Sequence, residues 1–306
     1  MGTPEFAVTS LKELLRAKYN IVGVITAPDR PAGRGRKIRQ PAVKTYSIQH
    51  DLNIMQPPNL KDPVFLNQLK ELNADLQIVV AFRMLPESIW SMPKMGTFNL
   101  HASLLPEYRG AAPINWAIIN GETKTGVTTF FINDKIDTGS ILLQEQTDIL
   151  PDMDVGALHD KLMIMGGILI IKTIELIQSK DFEPVDQPVN DNKIAPKLNK
   201  DNSKIVWTDS LNDIYNKIRG LCPYPGAWTF VYNKNEKIEA KIYKSEKIIE
   251  DHNLAFGKIV AGKKEIKVAV KDGFLKILNL KLAGKRRMDT QSLLNGYTFD
   301  KESKML

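Results

Sequence analysis

Amphipathic stretches alternate with short apolar runs from residue 4 to about residue 147, and this alternation limits the fold more than any other feature. Helix-like spacing occurs at Phe6, Leu11, Leu14 and Leu15, and strand-like runs follow at 21–25, 78–81, 96–101 and 127–132. The first three runs are almost continuously apolar, which is typical of strands covered on both faces. The pattern predicts an α/β sheet domain that ends with a long helix over 155–179.

A second domain follows a segment without sustained periodicity. Residues 181–202 are rich in Pro, Asp, Asn and Lys, which indicates a linker. A helix is predicted over 211–221, and strand-like runs follow at 227–232, 238–243, 266–270 and 274–280. Short strands at this spacing favour a small β-barrel. We therefore expect an α/β domain over 1–180, a linker over 181–202 and a barrel domain over 203–306.

The composition limits which cellular compartment and which binding partners we expect. The net charge is +7, and residues 201–306 hold 20 of the 42 Lys and Arg but 13 of the 35 Asp and Glu, so the whole excess lies there. A basic face for a polyanion and a lysine-rich solvated surface both give such a count. The apolar run 162–171 is shorter than the roughly 20 residues of a membrane span. With a single cysteine and no signal segment, we expect a cytoplasmic protein without membrane attachment.

The most informative segment runs from residue 98 to residue 113. If 96–101 is a strand, its period of two places Asn99 and His101 together on one face. They then lie at the carboxyl end of the strand, where open α/β sheets bind ligands. The spacing alone also fits a satisfied polar pair. However, the long irregular loop that follows, with Pro113 placed to begin a helix, is typical of a functional loop.

A second motif, Ile136-Asp137-Thr138-Gly139, is by itself a common turn. Together with Asn-x-His-x-Ser-Leu-Leu-Pro at 99–106, it resembles the catalytic signature of the folate-dependent formyltransferases. The likeness is greatest to the branch that acts on methionyl-tRNA, and it extends over segments 2–7, 28–35 and 223–228 with Arg219. It implies a Rossmann-like domain with a mostly parallel sheet, followed by an OB-like β-barrel.

The resemblance also implies substrates and site residues. The formyl donor would be 10-formyltetrahydrofolate, the acceptor the α-amino group of methionyl-initiator-tRNA, and the catalytic residues Asn99, His101 and Asp137. Asn99 and His101 would stabilise the negative charge on the formyl oxygen, and Asp137 would orient the imidazole. Folate would contact Ser103, Leu104, Leu105, Pro106, Phe82, Met84 and Leu85. The basic loop would contact tRNA through Arg34, Arg36 and Lys37. We expect no metal and a monomeric protein.

One departure from the family pattern concerns the folate loop. The family commonly has Tyr-Gly where this chain has Phe82-Arg83, which leaves the pterin contacts open. Three other functions account for less of the sequence. A formyltransferase for a small amine, such as glycinamide ribonucleotide or an aminosugar nucleotide, does not need both basic regions. A non-catalytic RNA-binding module leaves Asn99, His101 and Asp137 unexplained. A dinucleotide-dependent oxidoreductase would carry a G-x-G-x-x-G motif, which the first helix lacks.

A final expectation concerns the first strand. In the family, a short apolar strand precedes the motif that begins here at Gly2, whereas Met1 alone precedes it in this sequence. A central strand pairs on both sides, so without it the neighbouring strands keep unmatched backbone groups around an open groove. The sequence therefore predicts a groove in the sheet beside Met1, and a natural polypeptide that begins upstream of it.

Overall fold

The computed structural model describes residues 1–32, 37–188 and 193–306. Its helices are α1 (Glu5–Arg16), α2 (Ala42–Gln49), α3 (Pro63–Glu71), α4 (Glu87–Trp90), α5 (Pro113–Ile119), α6 (Val155–Ser179), α7 (Leu211–Gly220) and α8 (Thr290–Leu294). The strands before residue 200 are β1 (Val24–Ile25), β2 (Arg30–Ala32), β3 (Lys37–Arg39), β4 (Ile54–Met55), β5 (Gln77–Val80), β6 (Thr97–His101), β7 (Arg109–Gly110), β8 (Lys124–Phe131), β9 (Ile141–Asp148) and β10 (Ile194–Ala195). Those after it are β11 (Ala227–Asn233), β12 (Glu236–Ile248), β13 (Ile259–Ala261), β14 (Ile266–Val270), β15 (Gly273–Leu282), β16 (Met288–Asp289) and β17 (Lys304–Met305).

The chain divides into two compact units. The first comprises Met1–Gly110, Thr125–Thr147 and His159–Ile194, and the second Ala111–Lys124, Asp148–Leu158 and Ala195–Leu306. These limits differ from the predicted domain boundaries because α5 packs with α7 in the second unit. There the Asn115 amide donates a hydrogen bond of 2.8 Å to the Gly220 carbonyl. The segment predicted as a linker is shared between the two units.

The sheet of the first unit confirms the predicted α/β class. β5 and β6 are parallel, β8 runs antiparallel to β6, and β9 lies beyond β8. β1 and β4 form a second parallel pair. Between β1 and β5 lie Met1 and Gly2: the Gly2 N–H donates to the Ile25 carbonyl at 3.0 Å, and the Met1 carbonyl accepts from Val80 at 2.9 Å. The sheet is therefore parallel except at the β8 side.

A cavity of about 140 Å³ lies beside Met1 in this sheet, at the place where the sequence predicts a groove. It is bordered by residues 20–25 on one side and 76–78 on the other, and Leu11, Leu14, Leu69 and Leu72 also line it. The predicted strand over 21–25 is shorter than expected, since only Val24 and Ile25 are paired, with β4.

Helix α6 matches its predicted span of 155–179. By length and composition it could cross a membrane, yet 44% of its most apolar 18-residue window is buried inside the protein. Its paired glycines allow close packing: a Cβ on Gly166 would lie 2.6 Å from Leu100, and one on Gly167 would lie 3.1 Å from Glu13. The pair is thus a contact point with β6 and α1, although glycine lowers helix propensity.

The second unit contains the predicted barrel. Its antiparallel sheet has the order β13-β14-β15-β12-β11-β17, and β16 pairs with β15. Lys304 of β17 also bridges Lys258, which directly precedes β13, so the sheet returns almost to its starting strand. Its interior is filled by buried aliphatic side chains, among them Ile242, Val268 and Leu280, and α7 contributes Ile214 and Ile218. Of the barrel strands, β13, β16 and β17 were not predicted.

Candidate active site

Strand β6 carries the first two predicted catalytic residues. It lies between β5 and β8, and Asn99 is opposite Val79 on one side and Phe130 on the other. Phe98 and Leu100 are buried on one face, so Asn99 and His101 share the other. The Asn99 side chain is half-buried and makes no hydrogen bond within the part of the chain that the structure describes. Its amide is therefore available to a substrate.

The imidazole of His101 is buried and held from both sides. Its Nε2 atom lies 2.9 Å from the Tyr108 carbonyl oxygen, and its Nδ1 atom lies 3.8 Å from Oδ2 of Asp137. A carbonyl oxygen only accepts hydrogen bonds, so Nε2 carries a proton in the neutral ring. Nδ1 is then the nitrogen that keeps a lone pair, and it faces the Asp137 carboxylate. The geometry suits a group that gains and returns a proton.

Asp137 is held in a left-handed backbone conformation, with a φ of 54°. Its Oδ2 atom accepts a hydrogen bond of 2.9 Å from the Gly110 N–H, which fixes the carboxylate that faces His101. Two residues later, a Cβ on Gly139 would meet the Phe131 carbonyl at 1.6 Å, so only glycine fits. The Asp-Thr-Gly motif is therefore a tight turn that places the Asp137 carboxylate next to the His101 imidazole.

Two residues that the sequence analysis missed support this turn. The Arg109 Nε atom donates to the Asp137 carbonyl at 3.1 Å, and its Nη2 atom donates to Oε1 of Gln187 at 2.8 Å. Gln187 in turn donates to the carbonyls of Asp137 and Gly139 at 3.1 and 2.7 Å. Gln187 lies in the segment predicted as a linker, where Val185 bridges Ile141. A lone glutamine among Pro and Asp residues carries no motif that could have revealed this role.

The Ser103-Leu104-Leu105-Pro106 loop is fixed by hydrogen bonds to β8 and β9. The Thr128 hydroxyl donates to the Ser103 carbonyl at 2.6 Å and accepts from the Leu105 N–H at 3.1 Å. The Ser103 hydroxyl is fully buried and donates to the Glu107 carbonyl, and the Leu105 side chain is buried as well. Leu104 and Pro106 are half-buried. Ser103 and Leu105 thus present backbone rather than side chain to a ligand.

The second predicted folate segment follows β5. Phe82 is half-buried, Leu85 is buried in the apolar cluster with Ile89, and Met84 is 66% exposed. Ala81, at the end of β5, has a φ of 47°, a strained conformation for a residue with a Cβ. Backbone strain at Ala81, Tyr108 (φ 60°) and Asp137 therefore clusters around the Asn99 and His101 face.

The predicted tRNA contacts can be located only in part. Arg34 and Arg36 lie outside the described residues, and Lys37 begins β3, which pairs antiparallel with β2.

Within residues 1–32, 37–188 and 193–306, no three His, Cys, Asp or Glu side chains cluster as metal ligands would. The expectation of a reaction without metal remains a prediction.

The fold and this site define the class of protein. The Formyl transferase family model matches residues 1–174, and the Formyl transferase, C-terminal domain model matches residues 197–298. The chain belongs to the formyl transferase family. Among its relatives, the methionyl-tRNA formyltransferase of Flavobacterium johnsoniae is 56% identical over 306 residues, which cover 100% of this chain and 97% of that protein. The methionyl-tRNA formyltransferase of Bacteroides thetaiotaomicron is 51% identical over 311 residues, with coverage of 100% and 97%.

Solved structures share the fold at lower identity. The N-formyltransferase from Helicobacter canadensis, in complex with folinic acid and dTDP-3-aminofucose, superposes with a TM-score of 0.65 at 21% identity, over 94% of this chain and 97% of that one. WlaRD, a sugar 3N-formyl transferase, gives a TM-score of 0.64 at 21% identity, over 93% and 97%. At this identity the similarity shows the architecture alone.

Proposed function

We propose that this chain transfers the formyl group of 10-formyltetrahydrofolate to the α-amino group of methionyl-initiator-tRNA, as a step of translation initiation. The observation that carries the proposal is the arrangement of Asn99, His101 and Asp137 at the carboxyl end of β6. Full-length relatives at 51% and 56% identity that are named methionyl-tRNA formyltransferase support the acceptor.

The reaction forms a C–N bond between the formyl carbon and the methionyl nitrogen and breaks the bond between that carbon and the folate nitrogen. An amine that titrates near pH ~8 is partly unprotonated at neutral pH, so no strong base is required. Attack places negative charge on the formyl oxygen. The Asn99 amide, which makes no other hydrogen bond among the described residues, donates to that oxygen. A donor of this kind stabilises the transition state by ~2.7–4 kcal/mol.

His101 moves the proton. Its Nε2–H is engaged by the Tyr108 carbonyl at 2.9 Å, so Nδ1 receives the proton that the attacking amine loses. The Asp137 carboxylate, 3.8 Å from Nδ1, stabilises the imidazolium that forms. The proton then passes to the departing folate nitrogen, either directly or through a water. Proton uptake and release balance within one turnover, and no covalent enzyme intermediate is needed.

Substrate contacts complete the proposal. Four of the predicted folate residues are exposed enough to contact folate through their side chains: Phe82, Met84, Leu104 and Pro106. The other three would contribute backbone contacts or the shape of the site: Ser103, Leu105 and Leu85. The basic segment with Arg34, Arg36 and Lys37 would contact the tRNA, because arginine and lysine side chains suit phosphate contact. We also propose that the protein acts as a monomer in the cytoplasm.

The test combines an acceptor comparison with three variants. The wild-type protein should formylate methionyl-tRNA and leave glycinamide ribonucleotide unmodified. Asn99→Ala, His101→Ala and Asp137→Ala should each lower kcat by at least ~100-fold, because each removes a group that acts in the transition state. Thermal unfolding should show that the variants remain folded.

His252→Ala is a matched control for the histidine variant. The His252 Nε2 atom also lies 2.9 Å from backbone carbonyl oxygens, those of Val270 and Gly273, but in the barrel. Its loss should affect stability and leave kcat unchanged. Near-normal turnover in the three site variants would refute the catalytic assignment. Preference for glycinamide ribonucleotide over methionyl-tRNA would refute the acceptor.

A further inference from the structure

The loop that follows β5 is held by a side chain to which the proposed reaction assigns no role. We call residues 82–85 the folate loop, because three of them are predicted folate contacts. Arg83, inside this loop, reaches the segment after β4: its Nη1 atom donates to the Pro58 carbonyl at 3.0 Å, and its Nη2 atom donates to the Pro57 carbonyl at 2.8 Å. These two hydrogen bonds tie the folate loop to a segment that is distant in sequence.

The segment that accepts these hydrogen bonds is itself fixed. Gln56, directly before the two prolines, donates through its Nε2 atom to the Ala27 carbonyl at 2.7 Å and to Oδ1 of Asp29 at 2.8 Å. The same carboxylate pairs with Lys44 on α2 at 2.7 Å. Two consecutive prolines also restrict the backbone that follows Gln56. The carbonyls that Arg83 binds therefore belong to a restrained segment.

Arg83 acts here through the shape of its guanidinium and not through its charge. Among the described residues, no acidic side chain forms an ion pair with it, and both of its partners are neutral carbonyls. Burial and the neighbouring Arg30 guanidinium lower the pKa of Arg83, so the positive charge is disfavoured at this place. An arginine nevertheless stays protonated in proteins. What the side chain offers is a rigid, planar set of N–H donors, which suits two adjacent carbonyls.

The folate loop is thus held at two points. Leu85 is buried in the apolar cluster with Ile89, and Arg83 is bonded to the segment after β4. Between them, the Met84 side chain is exposed. On the other side, the guanidinium carbon of Arg83 lies 5.2 Å from the centre of the Phe82 ring. The position of Arg83 therefore determines where Phe82 and Met84 lie.

The backbone at the start of the loop needs such a restraint. Ala81 has a φ of 47°, a conformation that is unfavourable for a residue with a Cβ. Strain of this kind persists only where the surrounding structure holds the backbone in place. On one side of Ala81, Val80 is paired with Leu100 of β6. On the other side, the hydrogen bonds of Arg83 supply the restraint.

We propose that Arg83 is a positioning residue for the formyl donor: by holding the folate loop against the segment after β4, it sets Phe82 and Met84 at the place where folate binds. The proposal rests on the proposed function, in which these two side chains contact folate. Arg83 itself touches neither substrate. Its loss should weaken donor binding, because the loop must then be ordered each time folate binds. Acceptor binding should be unchanged.

The test measures KM for the donor and for the acceptor in three variants. Arg83→Met keeps the length of the side chain without its N–H donors, whereas Arg83→Lys keeps the charge and loses the planar shape. Both should raise KM for 10-formyltetrahydrofolate about tenfold, the equivalent of one hydrogen bond from a charged group. Both should leave KM for methionyl-tRNA unchanged. Lys70→Met is the matched control: it removes an exposed charge of the same unit, on α3, and should change neither KM.

A selective rise in one KM distinguishes positioning from a loss of stability. A destabilised variant has a smaller fraction of active enzyme, which lowers the apparent kcat and leaves both KM values unchanged. That result for Arg83→Met, or unchanged kinetics, would overturn the proposal.

Three further results would assign Arg83 a direct contact with a substrate and would also overturn the proposal. If Arg83→Lys keeps the wild-type KM for the donor, the charge matters and the planar shape does not. If the effect of Arg83→Met disappears with 10-formyltetrahydropteroate, a donor without glutamate, the guanidinium binds the glutamate carboxylates. If KM rises for methionyl-tRNA and not for the donor, Arg83 contacts the acceptor.

Direct binding keeps the two proposals separable. If the wild-type protein transfers no formyl group to methionyl-tRNA, the proposed function fails, but the role of Arg83 can still be tested with tetrahydrofolate as the probe. Calorimetry should show about tenfold weaker binding of tetrahydrofolate to Arg83→Met and Arg83→Lys than to the wild type and to Lys70→Met. Equal binding by all four proteins would refute the positioning role.

Discussion

In a polypeptide that begins at Met1, the α-amino group of that residue should make stability depend on pH. It lies between β1 and β5, donates to the Ile78 carbonyl at 2.6 Å, and borders the 140 Å³ cavity. Burial lowers its pKa from 8.0 to about 5. The folded protein thus prefers the neutral amine, whereas the unfolded chain binds a proton at any pH below about 8.

The size and sign of the effect follow from this difference. Above pH ~8 both states hold a neutral amine and there is no penalty. As the pH falls from 8 to 5, the unfolded state alone gains the proton, and the free energy of unfolding decreases by ~1.4 kcal/mol per pH unit. The total is about 4 kcal/mol for the shift from 8.0 to about 5. For a unit of this size, that corresponds to roughly 8–16 °C in Tm.

Acetylation of the Met1 amine isolates the effect from other titrating groups. The acetyl amide cannot be charged, still donates to Ile78, and can extend into the adjoining cavity. The difference in Tm between acetylated and unmodified protein should be smallest at pH 8.5 and should grow steadily down to pH 5. A difference that does not vary with pH would refute the reasoning.

An apolar hexapeptide added ahead of Met1 should raise Tm further than acetylation does. It supplies backbone partners to β1 and β5, and each large aliphatic side chain that becomes buried contributes ~1.5–3 kcal/mol. A polar hexapeptide of equal length is the control. Equal melting temperatures and equal activity for the apolar and polar versions would show that the sheet closes without such a strand.

Further predictions concern the residues that support the site. Thr128→Val should destabilise the protein by ~1–3 kcal/mol and raise KM for the formyl donor, because three hydrogen bonds to the Thr128 hydroxyl are lost. Thr125, on the same strand, has a buried hydroxyl without a hydrogen-bond partner among the described residues, so Thr125→Val should be neutral or stabilising in urea denaturation. A larger loss of stability in Thr125→Val than in Thr128→Val would show that these hydroxyls do not act as described. Gln187→Ala should lower kcat about tenfold with little change in KM, since Asp137 loses its support. Gln187→Glu keeps the contact to Arg109 but cannot donate to the carbonyls, so full activity in that variant would refute the role.

Much of the architecture could be predicted from local pattern. The period of two placed Asn99 and His101 on one face of β6, and Pro113 begins α5 as expected. The span of α6 and the main barrel strands also agree with the hydrophobic periodicity. These features are set by residues close together in sequence, because side-chain period and helix termini depend on the local backbone. The motif that resembles the formyltransferases is local in the same sense.

Tertiary structure decided the contacts that irregular loops and distant segments make. The Tyr108 carbonyl determines which nitrogen of His101 is basic, and Gln187 reaches Asp137 across 50 residues from a segment without a motif. The Ser103 hydroxyl turns inward, which its place in the signature did not indicate. Arg30 and Arg83 come together because residues after β1 and β5 meet at one edge of the sheet. None of these contacts has a periodic signal. Those of Gln187 and Arg83 depend on how distant segments pack, and those of His101 and Ser103 depend on the path of an irregular loop.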